Sequence, residues 1–377
     1  MDHPRKILIL YASAGHGHEK AARALEEIYL ESYPDREVKV VDTLALTSFS
    51  AGRNYSAVYY FLIKRAPWLW GFFYHVLDVP WVYQVVKVLR RFWNRLIAKP
   101  LEAFLIAENP SVVISTHFLS TDVVGRLKSE GRIHSSHLTV VTDYLPHWIW
   151  TEECVDAFIT ALPETKEGLV ERGIPGEKIR VMGIPVERKF SEKLSTNQIR
   201  LDLGVPQNRF TVLLTSGGEA VGAIGRIAER LLEADLPLQA LVVCGWNKKL
   251  FNHLNAWAAQ GKPIKLFGFV DNMHELMQAS DLVIGKGGGL TVTESLSLRR
   301  PMIIFRPLPG QEARNAACLQ RYQAGFVASS VEEAVRFVRE FSQAPWKLAA
   351  VQENAVRMVP RFASKEIVDW IENEFRT

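Results

Sequence analysis

The strongest constraint on the fold of this chain is a pattern of buried strand, glycine loop and helix that occurs in both halves. Near the N-terminus, the apolar run Lys6 to Tyr11 is followed by the loop Ser13 to His18 and an alanine-rich helical segment. Further on, Leu282 to Ile284 precedes the loop Gly285 to Gly289 and a helix predicted over Thr291 to Arg299. This order is typical of a doubly wound sheet, so the sequence predicts an α/β fold with two parallel sheets.

Strand-like runs alternate with helical patterns along most of the chain, as parallel α/β sheets require. A length of 377 residues exceeds one ordinary core, so we expect two domains. The polar stretch Glu187 to Pro206 separates them. We predict an N-terminal domain over residues 1–190, a C-terminal domain over 191–345 and a helical segment over 346–377. The other predicted strands are 38–41, 112–115, 138–142, 158–160, 210–215, 240–244, 266–269 and 303–305.

The C-terminal glycine loop has the composition of a nucleotide-sugar site. Glycines ahead of a helix let backbone N–H groups approach a phosphate, and the helix dipole adds attraction. Glu294, on the first turn of the predicted helix, can accept hydrogen bonds from a ribose diol. Gln311 and Glu312 follow in a second loop, where they can bond a polyhydroxy group. Phosphate cradle, diol acceptor and polar amide together favour a nucleotide sugar over a bare phosphate.

Composition excludes several classes of protein. The content of 48% hydrophobic and 23% charged residues is globular, and no run approaches a membrane span. The three cysteines are unclustered, and the N-terminus has no signal-peptide pattern, so we expect a reducing compartment. No Asp-x-Asp motif and no ligand-spaced histidine cluster occurs. We therefore expect no bound catalytic metal and no cofactor beyond the co-substrate.

Residues 57–99 interrupt the α/β alternation. From Gly52 to Pro100 there are eight basic residues against one acid, whereas the whole chain has a net charge of +4. Residues Tyr83 to Ile97 form an amphipathic helix, which predicts contact with an anionic membrane surface. The alternative is a surface helix packed on its own domain with a solvated basic face. Nucleic acid is not expected, because the basic face is short and opposes aromatics. The apolar face comprises Val85, Leu89, Phe92, Trp93 and Leu96, and the basic face Lys87, Arg90, Arg91 and Arg95.

Five motifs, taken together and in order, give the chain a resemblance to a known family. They are GHGHEKAARAL at Gly15 to Leu25, VTDYLPHWIW at Val141 to Trp150, SGGEAVG at Ser216 to Gly222, GGLTVTES at Gly288 to Ser295 and PGQEARNA at Pro309 to Ala316. The chain resembles the monogalactosyldiacylglycerol synthase and processive diacylglycerol glucosyltransferase family, which is glycosyltransferase family 28-like. The resemblance covers nearly the whole chain.

The resemblance implies a GT-B fold, in which two Rossmann-like domains face a central cleft and the C-terminal helix packs back on the N-terminal domain. It implies an inverting transfer of a hexose from UDP-glucose or UDP-galactose to diacylglycerol or a glycosyl-diacylglycerol. The donor would bind mainly to the C-terminal domain and the acceptor to the N-terminal one. Such an enzyme would be peripheral, at the cytoplasmic face of the cell membrane.

Mapped onto this sequence, the resemblance and the residue chemistry assign three kinds of site residue: catalytic, acceptor-binding and donor-binding. His18 and Asp143 are the candidates for catalysis. Plant-type members carry an acid early in the first glycine loop, where this chain has Ser13 and Ala14, so the identity of the general base stays open. His147 and Trp148 are expected to line the acceptor pocket. The expected donor-binding residues are Gly217 and Gly218 near the diphosphate, Phe269 and Val270 near uracil, Gly288, Gly289, Leu290 and Thr291 in the glycine loop, Glu294 at the ribose, and Gln311 and Glu312 at the sugar.

Other functions use similar patterns. A UDP-N-acetylglucosamine-dependent transferase to another lipid-linked acceptor and a soluble UDP-sugar epimerase can share the fold. A dinucleotide oxidoreductase is disfavoured, because the first loop lacks the spacing of the dinucleotide fingerprint. A non-catalytic nucleotide-sugar sensor would differ from a transferase in forming no product.

Overall fold

The structure is a computed structural model that describes residues 5–13, 15–47, 61–62, 65–217, 223–234 and 236–375. The chain divides into two compact units. Unit 1 comprises Met1–Arg188, Leu308–Arg314 and Phe362–Thr377, and unit 2 comprises Lys189–Pro307 and Asn315–Arg361. The short segment Leu308–Arg314 therefore groups with unit 1, although it lies between two parts of unit 2 in the sequence.

Unit 1 is built on a six-stranded parallel sheet with the order β2-β1-β3-β4-β5-β6. The strands are β1 Lys6–Tyr11, β2 Glu37–Asp42, β3 Val112–Ser115, β4 Ser136–Val140, β5 Ala157–Thr160 and β6 Ile179–Val181. The helices are α1 Gly17–Ser32, α2 Pro67–Val76, α3 Pro80–Ile97, α4 Lys99–Glu108, α5 Phe118–Ser129 and α6 Pro163–Glu171.

The central strands of the unit 1 sheet are apolar along nearly their whole length, so helices must cover both faces of the sheet. Ile7 and Ile9 of β1 pack with α1 on one face. Leu8 and Leu10 pack with α4 and α5 on the other. The C-terminal helix α15, Ala363–Glu374, adds Ile367, Val368 and Ile371 to the first of these cores. It therefore packs back on the N-terminal Rossmann-like domain, as expected.

Unit 2 has a second six-stranded parallel sheet, with the order β12-β11-β10-β7-β8-β9. Its strands are β7 Phe210–Thr215, β8 Leu238–Val243, β9 Ile264–Phe267, β10 Leu282–Gly285, β11 Met302–Phe305 and β12 Gly325–Ala328. Its helices are α7 Thr196–Asp202, α8 Ile224–Glu233, α9 Lys248–Ala259, α10 Met273–Ala279, α11 Gly289–Ser297, α12 Gln311–Arg321, α13 Val331–Gln343 and α14 Leu348–Met358, of which α12 begins in the segment that groups with unit 1.

The predicted α/β class with two Rossmann-like domains is confirmed. All the predicted strands are present with small shifts at their ends, while β6 and β12 were not predicted. The predicted helical segment 346–377 is divided, since α14 belongs to unit 2 and α15 to unit 1.

Candidate active site

Three strand ends of unit 1 bring polar side chains to one edge of its sheet. The loop after β1 leads to His18, the second residue of α1, while Thr116 follows β3 and Thr142 follows β4. His18 Nδ1 lies 2.7 Å from the Thr116 carbonyl oxygen and 3.2 Å from Thr142 Oγ1. Because β1, β3 and β4 are parallel neighbours, their carboxyl ends meet here, where α/β proteins place their ligands.

His18 is held as a neutral imidazole. Burial lowers its pKa to about 4, and the hydrogen bond to the Thr116 carbonyl offsets only part of this effect. Nδ1 donates to that carbonyl, so the lone pair lies on Nε2. The His117 ring packs edge-on at 4.7 Å, and burial together with the nearby His18 holds the pKa of His117 well below its usual value. Neither ring carries a charge at neutral pH.

Asp143 follows β4 and is buried. Trp150 Nε1 donates to Asp143 Oδ2 at 2.8 Å, and Gln311 Nε2 donates to Oδ1. Burial raises the pKa of Asp143 to about 6, and the two donated hydrogen bonds and the nearby Arg314 limit the rise. The Trp150 ring also lies 6.5 Å from the His18 ring, so Asp143 and His18 share one polar edge. Trp150 carries no signal in the sequence beyond its place in the motif Val141 to Trp150.

His147 and Trp148, the expected acceptor residues, are held next to this edge by hydrogen bonds to neighbouring segments. His147 Nε2 donates to the Tyr74 carbonyl at 2.9 Å, and its Nδ1 accepts from the Ile149 N–H at 3.0 Å. Both imidazole nitrogens thus bond to backbone groups, and burial lowers the pKa of His147 to about 4. Trp148 is partly exposed, and its backbone N–H donates to Asp78 Oδ1 at 3.1 Å. The acceptor role of both residues stays a prediction.

Gln311 and Glu312 open α12. Gln311 bonds Asp143, as described above, which places a predicted sugar-binding amide against a predicted catalytic carboxylate within unit 1. Glu312 Oε2 accepts from the Leu308 N–H at 3.0 Å and so fixes the loop that precedes its own helix.

The glycine loop predicted to bind the donor leads from β10 into α11 in unit 2. The predicted helix Thr291 to Arg299 in fact spans Gly289–Ser297. Glu294 therefore lies on the second helical turn and not, as predicted, on the first. It is buried, and helical spacing puts it on the same face as Leu290 and Thr291. Gly288 caps the helix without a side-chain acceptor, so the helix N-terminus presents backbone N–H groups.

The remaining donor-binding predictions lie in loops of unit 2. Gly217 follows β7 and has a positive φ of 71°, which favours glycine. Gly218 lies outside the described residues. The predicted strand 266–269 ends at Phe267, so Phe269 and Val270 belong to the following loop. The exposed ring of Phe269 stacks on Trp246 with centroids 4.6 Å apart.

The helices α2 and α3 carry a large exposed apolar surface, which we call the aromatic face. On α3, Trp81, Phe92 and Trp93 are 73%, 65% and 59% exposed. On α2, Trp68 and Phe72 are also exposed. Large apolar side chains exposed in a row along one helix face mark interaction sites. The full aromatic face comprises Trp68, Phe72, Phe73, Val79, Trp81, Val85, Val88, Leu89, Phe92, Trp93 and Leu96.

The basic residues of α3 do not form the lipid-facing surface that the sequence predicts. Arg90 pairs with Asp122 at 3.1 Å, Arg91 with Glu152 at 2.7 Å and buried Lys87 with Glu153 at 3.2 Å. The polar face of the helix therefore packs on unit 1, and the apolar face is the exposed one. Only Arg95 stays largely exposed, 3.9 Å from Glu130. The alternative of a solvated basic face fails for the same reason.

Among the residues that the structure describes, no helix is long and apolar enough to cross a membrane. Within the same ranges, no cluster of three or more histidine, cysteine, aspartate or glutamate side chains could hold a metal ion.

Comparison with solved structures places the fold. MurG of Acinetobacter baumannii superposes with a TM-score of 0.61 at 14% identity, over 98% of this chain and 100% of that one. UDP-GlcNAc 2-epimerase from Neisseria meningitidis gives 0.62 at 14% identity, with the same shares. Because MurG and an epimerase fit equally well, and both are only 14% identical to this chain, these likenesses show the GT-B fold alone.

Sequence comparison is more specific. A family model described as Monogalactosyldiacylglycerol (MGDG) synthase matches residues 18–186, and one described as Glycosyltransferase family 28 C-terminal domain matches residues 219–354. The processive diacylglycerol beta-glucosyltransferase of Bacillus pumilus (strain SAFR-032) is 28% identical over 386 aligned residues, covering 98% of this chain and 95% of the relative. The chain therefore combines a monogalactosyldiacylglycerol synthase domain with a glycosyltransferase family 28 C-terminal domain, and over nearly its full length it is similar to processive diacylglycerol beta-glucosyltransferases.

Proposed function

We propose that this protein is an inverting glycosyltransferase that moves a glucosyl group from UDP-glucose to diacylglycerol. The observation that carries the proposal is the match to a diacylglycerol glucosyltransferase over 98% of the chain. The hydrogen bond between Gln311 and Asp143 supports it, because a residue expected at the sugar contacts a carboxylate suited to base catalysis. Glucose is preferred over galactose because the near full-length relative is named a glucosyltransferase.

Asp143 is the general base of the proposed reaction. The acceptor hydroxyl oxygen attacks the anomeric carbon, the bond from that carbon to the diphosphate oxygen breaks, and its electron pair leaves with UDP. The hydroxyl proton passes to Asp143. A pKa of about 6 leaves this carboxylate ionised at neutral pH and basic enough to take a proton. His18, neutral with a pKa of about 4, is the weaker base and orients the hydroxyl.

The donor binds to unit 2 through backbone and carboxylate groups. The N–H groups of Gly289, Leu290 and Thr291, at the N-terminus of α11, bind the diphosphate and stabilise the charge of the leaving UDP. Glu294 accepts hydrogen bonds from the ribose hydroxyls. Uracil lies near Phe269 and Val270, while Gln311 and Glu312, which group with unit 1, are the residues proposed to read the sugar. Charge stabilisation by these groups makes the reaction independent of a protein-bound metal.

The aromatic face binds the lipid surface that holds the acceptor. A helix with exposed tryptophan and phenylalanine inserts these rings at the boundary of headgroups and acyl chains. Because Arg90 and Arg91 are used in ion pairs, apolar insertion is the main attraction and anionic lipid adds little. The protein is thus peripheral, and it acts at the cytoplasmic face of the cell membrane.

Product analysis tests the proposal. Purified protein is incubated with vesicles of phosphatidylcholine and diacylglycerol, and with UDP-glucose, UDP-galactose or UDP-N-acetylglucosamine in turn. Lipids are separated by thin-layer chromatography and the anomer is assigned by NMR. We expect a β-glucosyl lipid with UDP-glucose. If a UDP-sugar epimer formed and no glycolipid did, the protein would be an epimerase and the proposal would be wrong. Transfer from UDP-N-acetylglucosamine alone would correct the donor.

A further inference from the structure

Asp78 is the one acid in the basic stretch from Gly52 to Pro100, and it connects several segments of unit 1. It follows α2, and its carboxylate accepts from the Trp148 N–H at 3.1 Å and from Arg172 Nη2 at 3.4 Å. Arg314 Nη2 donates to the same carboxylate. Burial alone would raise the pKa of Asp78, but the hydrogen bond from Arg314 and the nearby charges hold it below its usual value. The carboxylate is therefore ionised at neutral pH.

Arg314, in the first turn of α12, contacts Pro146 and Tyr74 and so fixes the start of that helix. Its Nη1 donates to the Pro146 carbonyl at 2.8 Å, and its guanidinium lies 5.0 Å from the centre of the Tyr74 ring. Gln311, which bonds Asp143, lies one helical turn before Arg314. The position of the Gln311 amide therefore depends on where Arg314 is anchored.

The loop ahead of α12 approaches α2 so closely that side chains are excluded. A Cβ on Gly71 would collide with Pro309. Gly310 has a φ of 101°, and a Cβ there would lie 2.9 Å from Tyr74 Cγ. Helix α2 therefore supports this loop at Gly71 and Tyr74, and Asp78, just beyond the end of the helix, supports Arg314 through its carboxylate.

We propose that Asp78 is a positioning residue for glycosyl transfer, which acts through Arg314 to hold the Gln311 amide against the Asp143 carboxylate. This inference rests on the function proposed above and extends it to a residue outside the reacting groups. An error of about 1 Å in the placement of reacting groups lowers a rate by roughly 10²-fold. Asp78→Asn should therefore lower kcat by roughly 10- to 100-fold. The affinity for UDP should change by less than about twofold, because the groups proposed to bind UDP lie in unit 2.

The pH profile separates positioning from general support of the fold. Asp143 is contacted by the donors Trp150 and Gln311, and the charge of Arg314 and the hydroxyl of Tyr74 lie nearby. The Gln311 bond favours the ionised carboxylate, so its loss should raise the pKa of Asp143. At low pH, kcat falls as Asp143 becomes protonated, and we call this part of the profile the acid limb. In Asp78→Asn the acid limb should lie at a higher pH than in the wild type, and Gln311→Ala should show the same shift.

Glu372 supplies a matched control. It is a buried carboxylate in α15 that pairs with two arginines, with Arg5 at 3.1 Å and Arg36 at 3.0 Å, away from the candidate site. Glu372→Gln should lower the melting temperature as Asp78→Asn does, while kcat and its acid limb stay at wild-type values. If Asp78→Asn does not fold, Arg314→Lys is measured in the same way, because lysine keeps the charge but lacks the second nitrogen that lets arginine bond both the Pro146 carbonyl and Asp78.

The experiment measures glucosyl transfer to diacylglycerol vesicles from pH 5 to 8, UDP affinity by titration calorimetry, and thermal melting for each variant. The inference is supported if Asp78→Asn or Arg314→Lys shows a lower kcat together with a shifted acid limb, and Glu372→Gln shows neither change. An unshifted limb, or a loss of kcat no larger than in the control, overturns it and leaves the proposed function standing. No glycolipid from the wild-type protein overturns the proposed function and the inference with it.

Discussion

Replacing Phe92 and Trp93 by serine should release the protein from lipid vesicles without unfolding it. These rings are 65% and 59% exposed, and an aromatic side chain offers about 150–250 Å². Together they present about 280 Å² to the outside, of which insertion to about half depth would bury about 140 Å². At about 25 cal/mol per Å², the double substitution removes about 3.5 kcal/mol, or roughly 300-fold in vesicle affinity.

The assay is co-sedimentation with neutral phosphatidylcholine vesicles that contain diacylglycerol. Arg95→Glu is the matched control, because Arg95 is the largely exposed basic residue of the same helix. On neutral vesicles it should change binding by less than about twofold, and raising the salt should have as little effect. Arg90 and Arg91 are unsuitable controls, since their reversal would break ion pairs with Asp122 and Glu152.

Wild-type binding by the double serine variant would refute insertion of the aromatic face. If in addition the wild-type protein formed dimers that the variant did not, the face would be reassigned to contact between two copies of the chain. Strong loss of binding by Arg95→Glu on neutral vesicles would also contradict the reasoning, because it would assign the attraction to charge.

Three further predictions concern the site. Turnover should fall as the pH drops through about 6, where Asp143 becomes protonated. Asp143→Asn should lower kcat by roughly 10²–10⁴-fold. His18→Ala should lower kcat less and leave the fall in kcat at low pH where it is in the wild type, and a profile of kcat against pH measures both variants. Glu294→Ala should weaken UDP binding by roughly 1.5–3 kcal/mol in titration calorimetry, and an unchanged affinity in a folded variant would remove the ribose assignment. The protein should lose stability in acid, because His147 has a folded pKa of about 4 against 6.5 when unfolded. Its contribution, roughly 3 kcal/mol, is complete above pH 6.5 and is lost as the pH falls through about 4. Urea unfolding of wild type and His147→Gln between pH 7.5 and 4.5 measures this, and parallel curves would contradict it.

Most of the fold could be predicted because buried parallel strands are apolar along their whole length. Val112–Ser115 and Phe210–Thr215 have the same limits in the prediction and in the structure. The two strands that were not predicted lack this signal. β6 has only three residues, two of them exposed, and β12 is a short run that begins with glycine at the edge of its sheet. Edge strands of this kind are defined by the neighbour they pair with, which the local sequence does not contain.

The orientation of α3 could not be predicted, although its two faces could. An amphipathic pattern separates apolar from polar positions, and a surface helix normally buries the apolar side. Here the polar side is buried, because Asp122 on α5 and Glu152 after Trp150 lie where Arg90, Arg91 and Asn94 can reach them. These acids are about 30 to 60 positions away in the sequence. The pattern therefore identifies a candidate membrane helix, while only tertiary contacts show that its arginines are already paired.

The choice of general base depends on tertiary contacts in the same way. By unperturbed values His18, at about 6.5, would be the better base and an aspartate, at about 3.9, the poorer one. Burial acts on both groups but in opposite directions, since it disfavours the charged form of each. It lowers the pKa of His18 to about 4 and raises that of Asp143 to about 6. One desolvated edge of the sheet thus reverses the order of basicity, and it turns the carboxylate that contacts the predicted sugar-binding amide into the stronger base of the pair.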